Sequence, residues 1–174
     1  MPNIQFRFAT PDDVPAMLKI INGAYRGVPG TKAWTSEGHL VGGLRVDHER
    51  LLHYLSEKDS WFTLMLLDEK IVGSVYLTRE SSDVLYFGMF AVDPKLQAQS
   101  LGKTFLAHIE EQARYKMFKR IRITVVHPRR ELIAYYERRG FVKTGITEPF
   151  PFNNDQEGRP LVENLQMVEM VKTL

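Results

Sequence analysis

Cysteine is absent from all 174 residues. That excludes a disulfide framework, a thiol nucleophile and cysteine-ligated zinc, and it leaves packing as the source of stability. A dominant charge sign is lacking too: 23 basic against 21 acidic residues give a formal net charge of +2. No global nucleic-acid or membrane-surface signature follows from so small a surplus, so any basic patch must be local. No stretch is long and apolar enough to span a bilayer, and the start, Met1 to Phe8, has no extended apolar run of the signal-peptide kind. The expectation is a soluble cytoplasmic protein with no membrane partner. Histidines are few and scattered. His48 and His53 stand five apart with no close carboxylate framework, so no metal site is expected. Repeats, linkers and low-complexity segments are missing as well. A chain of 174 residues with 44% hydrophobic content fills one core and is short for two, which predicts a single domain over 1–174.

What is present centres on Val84 to Thr104. Val84-Leu85-Tyr86-Phe87-Gly88-Met89-Phe90-Ala91-Val92 is an unbroken apolar run, the pattern of a strand buried on both faces. Asp93-Pro94-Lys95-Leu96-Gln97-Ala98-Gln99-Ser100-Leu101-Gly102-Lys103-Thr104 follows. Small residues just before a helix leave backbone N–H groups uncovered, and with the positive end of the helix dipole they make an anion site to which Lys103 and Thr104 add a charge and a hydroxyl. A polar loop opening a helix is, taken alone, more often only a cap. Gly102 is the sole glycine here, so neither the P-loop nor the dinucleotide fingerprint is met.

In chain order, Ile4, Phe6 and Phe8 alternate with polar residues as in a half-buried strand. Thr10-Pro11-Asp12-Asp13 opens a helix whose apolar face is Val14, Met17, Leu18, Ile21 and Tyr25 and whose end falls near Arg26-Gly27. From Val28 to Arg45 the pattern dissolves into a loop with large aromatics and single charges, which either shapes a binding site or merely packs down. Val46 to Leu55 reads as a helix, and Trp61 to Leu67 and Ile71 to Leu77 as strands of a hairpin. Leu101, Phe105, Ile109 and Ala113 mark a helix, and Ile121, Ile123 and Val125 a strand. Strand, loop, helix, strand is a parallel crossover unit, with ligand sites at the carboxyl ends of its strands. Glu131 to Arg139 reads as a helix closed by Gly140, Phe141 starts another strand, Thr147 to Pro160 is a long surface loop, and Leu165 to Val171 a last strand. The fold class is α/β.

Two motifs in this order carry a family resemblance. Val92 to Lys103 resembles the acyl-CoA pyrophosphate loop of the GNAT N-acetyltransferase superfamily, Gln/Arg-x-x-Gly-x-Gly/Ala: Gln97 and Gly102 fit it, while Ala98 and Ser100 stand where glycine is usual. Leu132-Ile133-Ala134-Tyr135-Tyr136-Glu137-Arg138-Arg139-Gly140-Phe141 is similar to the family's later motif, in which a helical tyrosine precedes a Gly-Phe turn; Tyr136 falls on that tyrosine, and Arg129 stands where many members have asparagine. The resemblance implies a GNAT-like α+β fold with a central mixed sheet that splays between the strands ending at Val92 and Val126, flanked by helices. It implies acetyl-CoA as cosubstrate. Phe90, Ala91, Val92, Gln97, Ala98, Gln99, Ser100, Leu101, Gly102, Lys103 and Thr104 would then bind it, with Arg129 and Arg130 best placed among ten basic residues between Arg114 and Lys143 to meet its 3′-phosphate.

Acetylating an amine requires taking up an ammonium proton, stabilising an oxyanion and protonating a departing thiolate. A backbone N–H near Ala91 or Val92 is the expected oxyanion donor. Tyr136 is the expected acid, since a phenol with a reference pKa near 10 holds its proton at neutral pH; the plainer reading makes Tyr135 and Tyr136 core aromatics. Tyr135 is expected to face elsewhere on the helix. For the base the residues offer Glu37, His39 and Glu148, with Glu37 first, although each is more often a solvated surface group. Trp34 would form an apolar wall of the acceptor site, beside Glu37 and Glu148, or pack in the core. The acceptor, a small molecule or a peptide amine, stays unnamed, and a homodimer stays open. Two other readings stand beside the enzyme: an acyl-CoA sensor without catalysis, and a nucleic-acid or other anion-binding module of the same fold. Against the latter, the basic segment lacks interleaved exposed aromatics.

Overall fold

A computed structural model describes residues 2–27, 36–151 and 158–174. Within them run β1 (Ile4–Phe8), α1 (Val14–Arg26), β2 (Val41–Gly42), α2 (His48–Ser56), β3 (Ser60–Leu67), β4 (Lys70–Arg79), β5 (Val84–Val92), α3 (Leu101–Tyr115), β6 (Arg120–Val126), α4 (Arg130–Glu137), β7 (Val142–Pro149), β8 (Arg159–Pro160) and β9 (Gln166–Thr173). Seven strands form a sheet in the order β1-β3-β4-β5-β6-β9-β7, antiparallel except for β5 beside β6, and β2 pairs with β8 apart from it. The fold is therefore a mixed α/β sheet flanked by helices. Among the described residues no helix is long and apolar enough to cross a membrane.

Helix spacing decides which face each helix covers. Val14, Met17 and Ile21 of α1 pack with Leu64, Tyr76, Met89 and Ala91 on one face of the sheet. On the other, Leu101, Phe105 and Ile109 of α3 pack with Leu85, Phe87 and Ile121. Phe105 lies close enough to Gly73 that a Cβ there would come within 3.0 Å of its ring. At the start of α1, the Asp13 carboxylate accepts from Thr10 N at 2.8 Å and from both terminal nitrogens of Arg7 at 2.8 Å each, tying β1 to the helix.

Two departures from regular pairing create the site. First, β5 and β6 pair only from Val84↔Arg120 to Tyr86↔Arg122; beyond Tyr86 the two strands run on to Val92 and Val126 unpaired with each other. Second, β5 carries a bulge: Ala91 pairs with Ser74 and Gly88 with Tyr76, so Met89 and Phe90 together oppose Val75, and Met89 takes a φ of 47°. One extra residue flips the alternation. Met89 and Ala91 turn to the α1 side, while Phe90 and Val92 rejoin Leu85 and Phe87 on the α3 side.

The expectation that β5 is buried on both faces therefore needs correction. Tyr86, Gly88 and Phe90 are only half-buried, because they border the opening left by the splay. The expected surface loop from Thr147 is also corrected. β7 continues through Thr147↔Val168 and Glu148↔Met167 after an irregularity, and this puts Glu148 on an edge strand.

Candidate active site

The end of β5 and the start of α3 frame the first half of the site. Pro94–Gln99 forms a 3-10 turn, in which Asp93 Oδ1 accepts from Lys95 N at 3.0 Å and Gln97 Nε2 donates to Val92 O at 3.3 Å. Ser100 then adopts the left-handed conformation, φ 59°, which glycine takes more easily. Thr104 N returns to Ser100 O at 3.2 Å, so the N–H groups of Leu101, Gly102 and Lys103 have no acceptor within the helix. A cavity of about 250 Å³ lies over them, lined by Phe90, Val92, Gln97, Ser100, Gly102, Lys103, Tyr135 and Arg139 among others. A Cβ on Gly102 would stand 3.3 Å from the Tyr135 hydroxyl, so glycine here keeps the floor of the cavity open.

Alternation settles which β5 donor faces this space. Asp93 N donates to Val72 O of β4 at 2.7 Å. Neighbouring residues point oppositely in a paired strand, so the Val92 N–H turns away from β4, into the gap beside β6, while Ala91 turns towards β4.

A second cavity, about 240 Å³, opens between the splayed strands and is bordered by Arg26, Glu37, Arg45, Tyr86, Phe87, Thr124, Glu148 and Met167. Tyr25, Phe90, Leu132 and Tyr136 line both cavities and mark where they meet. Tyr136 is 6% exposed, its ring clamped by Tyr135 at 5.4 Å, Phe141 at 5.5 Å and Phe87 at 6.0 Å. Among the described residues its hydroxyl has no hydrogen-bond partner. Burial, reinforced by the neighbouring Tyr25 and Tyr135, raises the phenol pKa well above its ordinary value. Tyr25, in the last turn of α1, is likewise raised by burial.

Glu37 is 8% exposed. Its N–H donates to Tyr25 O at 2.7 Å, and its carbonyl accepts from Leu40 N and Val41 N. Burial lifts its carboxyl above the ordinary range, opposed by the positive charges of Arg26, Arg45 and Arg129. Arg26 Nη1 stands 3.6 Å from Glu37 Oε2. Across the cavity, Arg122 is held by Glu80 at 2.6 Å and Glu169 at 3.1 Å, with its guanidinium 5.0 Å from the Tyr86 ring.

Of the residues expected from the sequence, the first cavity brings together Phe90, Val92, Gln97, Ser100, Gly102, Lys103 and Tyr136, and the second Glu37, Glu148, Phe90 and Tyr136. Ala91 packs on the α1 side, Leu101 is buried in the core, and Gln99 and Thr104 are exposed beyond the lining. Ala98 lies in the 3-10 turn. Arg130 is exposed at the first position of α4. Arg129 is 2% exposed and lines neither cavity: its Nη1 donates to Ser36 O at 3.0 Å and its Nε pairs with Glu131. Trp34 lies outside the described residues. Tyr135 does not face elsewhere as expected. It lines the first cavity, because residues adjacent on α4 diverge by less than a half-turn and the cavity wraps both.

Sequence reasoning missed Tyr25, Arg45, Leu132 and Arg139. Tyr25 sat on an apolar helical stripe and read as core; its hydroxyl, in the last turn before Gly27, was the available signal.

Among families, the one described as the acetyltransferase (GNAT) family matches residues 18–141. By sequence, no curated protein matches the chain. Among solved structures, the fold is similar to the ribosomal-protein-S18-alanine N-acetyltransferase from Escherichia coli, with a TM-score of 0.71 at 15% identity over 98% of this chain and 94% of that one. Ard1 from Thermoplasma volcanium gives 0.69 at 17% identity over 98% and 97%. A GNAT family acetyltransferase from Elizabethkingia anophelis, with acetyl-CoA bound, gives 0.63 at 20% identity over 99% of each chain. At these identities the likeness is one of fold.

Proposed function

Because this chain belongs to the acetyltransferase (GNAT) family, we propose that it is an acetyl-CoA-dependent N-acetyltransferase, one domain over 1–174, in which the primary amine of an acceptor attacks directly within a ternary complex. The observation that carries this reading is the meeting of two cavities at Tyr136: one has uncovered helix N–H groups and Lys103, the other has Glu37.

The residues present fit acetyl-CoA. The N–H groups of Leu101, Gly102 and Lys103, unbonded among the described residues, and the Lys103 ammonium are anion donors, and Gly102 leaves room above them. These groups would hold the phosphates, and the exposed Arg130 and cavity-lining Arg139 add positive charge nearby. Acetyl-CoA, when bound, supplies an acetyl group activated as a thioester. The Val92 N–H would donate to the carbonyl oxygen as negative charge gathers there. Tyr136 would give its hydroxyl proton to the leaving sulfur; its raised pKa keeps that proton in place at neutral pH. Glu37, whose carboxyl is shifted upward by burial, would take the proton of the amine, directly or through water.

The test is an acetyl-CoA consumption screen over an amine panel, run beside thermal melts with acetyl-CoA and CoA. Expected are a rise in melting temperature with either ligand and turnover with at least one class of amine. A shift without any turnover supports the acyl-CoA sensor instead, and no shift at millimolar ligand removes the reading altogether.

A further inference from the structure

The acceptor-side cavity carries positive charge that its own carboxylates do not absorb. Arg122 is engaged by Glu80 and Glu169. Arg26 faces Glu37 at 3.6 Å and donates from Nε to Gly43 O at 2.9 Å. Arg129, behind Glu37, is paired with Glu131. Arg45 differs. Its backbone N–H donates to Asn22 Oδ1 at 2.8 Å, which fixes where the residue leaves its loop. Its guanidinium lies 5.3 Å from the centroid of the Tyr25 ring. Among the described residues that guanidinium has no carboxylate within 4.0 Å and no hydrogen-bond acceptor.

An arginine held half-buried over an aromatic face, with its N–H fork uncommitted, is pre-organised for a planar anion. It lies on the same small cavity as Tyr136, so an anion at Arg45 belongs to the molecule whose amine reacts. We propose that Arg45 recognises a carboxylate carried by the acceptor close to its reactive amine, so that the substrate class is an amino acid or a short acidic peptide. The inference rests on the N-acetyltransferase reading. Other features of the cavity agree. Glu148 offers a negative partner for the ammonium, and Phe87, Phe150 and Met167 offer apolar wall to a side chain. A polyamine or aminosugar would instead bring several ammonium groups against Arg26 and Arg45.

The experiment compares three acceptors on the full chain: phenylalanine, phenylalaninamide and the dipeptide amide Phe-Asp-NH2. Turnover and acceptor KM are measured for wild type, Arg45→Gln and Arg45→Lys. Calorimetric titration of the same compounds into CoA-saturated protein gives binding without chemistry. Arg45→Gln should lower kcat/KM for a carboxylate acceptor by about 10- to 100-fold, chiefly through KM. It should affect the amide by no more than about threefold, since an uncharged amide offers the guanidinium no opposite charge to lose. Arg45→Lys should recover part of the loss. Each acceptor is compared with itself across variants, so differences in amine basicity cancel. Free phenylalanine as the better acceptor assigns the carboxylate to an amino acid, and the dipeptide to an acidic peptide. An acetyl-CoA thermal shift in Arg45→Gln equal to wild type shows that the fold is intact. Equal loss for acid and amide, or no carboxylate preference in either turnover or binding, overturns the inference while leaving acetyl transfer to other amines standing. Arg45-dependent carboxylate binding without acetyl transfer to any of these amines would leave Arg45 a carboxylate site but overturn its assignment to the acceptor.

Discussion

Replacing Tyr136 by phenylalanine separates the proposed acid from a core aromatic, because the structure predicts opposite outcomes for stability and rate. The ring is clamped by Tyr135, Phe141 and Phe87, and phenylalanine keeps all three contacts. The hydroxyl has no protein partner among the described residues, so its removal orphans no donor or acceptor and should be neutral or slightly stabilising. For a chain of 174 residues a change of 1 kcal/mol moves Tm by about 2–4 °C, so the melt should shift by no more than that, and upward if at all. A positioned general acid contributes about a hundred- to ten-thousandfold, so kcat should fall within that range, roughly 3–5 kcal/mol of barrier. KM for acetyl-CoA should move little.

Tyr135→Phe is the matched comparison. Its hydroxyl borders the first cavity beside Gly102, and so the effect should fall on acetyl-CoA affinity, with kcat nearly retained. Steady-state kinetics with a good acceptor, with a solvent isotope effect to show that chemistry limits turnover, would be run beside thermal melts. Wild-type kcat in Tyr136→Phe under those conditions refutes the assignment, and water or another side chain must then protonate the thiolate.

Three further predictions concern neighbouring features. Gly102→Glu should abolish the thermal shift seen with acetyl-CoA, about 2.7 kcal/mol at a hundred times the dissociation constant, by placing a carboxylate at the helix N-terminus and bulk against Tyr135; a retained shift would put the ligand elsewhere. Arg130→Glu should weaken CoA more than 3′-dephospho-CoA, whereas Arg129→Gln, which breaks the buried contacts to Ser36 and Glu131, should act mainly by lowering Tm; titrations and melts of both variants check this division. The Arg7 guanidinium holds the Asp13 carboxyl below its ordinary pKa of 3.8, so the pair stabilises the fold above that pH and the contribution is lost as pH falls through the lower folded value. Asp13→Asn should cost about 1 kcal/mol at neutral pH, discounted because the Arg7 side chain is 44% exposed, and the cost should shrink as pH falls below the ordinary carboxylate range; a pH-independent difference in Tm would refute the linkage.

How much of this was legible in the sequence depended on the range of the interaction involved. Helical stripes such as Leu101, Phe105 and Ile109, and the turn before Gly102, are set by neighbours three or four residues away, and the chain displays them directly. The bulge at Met89 and Phe90 left no trace in Val84 to Val92, because nothing in an apolar run records how a partner strand is registered against it. Hence β5 read as buried on both faces. Glu148 read as loop because Pro149 signals a break, yet an edge strand tolerates proline, and β7 is an edge. Arg129 and Arg45 were illegible for a different reason. Both are arginines near loop ends, and only the fold shows that Arg129 is committed to Ser36 and Glu131 while Arg45 lies over Tyr25, its guanidinium without an acceptor among the described residues. Tyr25 was hidden by its own ring, which satisfies the apolar stripe of α1 while the residue also lines both cavities.

The two tyrosines at that junction show how the fold can hold a donor in place without occupying it. A hydroxyl fixed by a protein hydrogen bond must break that bond before it serves a reacting atom, and in a buried site the exchange is costly. Tyr136 is fixed instead by aromatic contacts on its ring, and Tyr25 by the helix whose last turn is tied to the loop through Glu37 N. Packing supplies the orientation, and among the described residues neither oxygen is committed to a protein group. A donor prepared in this way needs no rearrangement when negative charge develops beside it, the condition under which a polar group lowers a barrier most. The same logic applies to the splay of β5 from β6. A strand fully paired on both sides would give the Val92 N–H to the sheet, and by losing one neighbour beyond Tyr86 the fold leaves that donor outside the β5–β6 pairing.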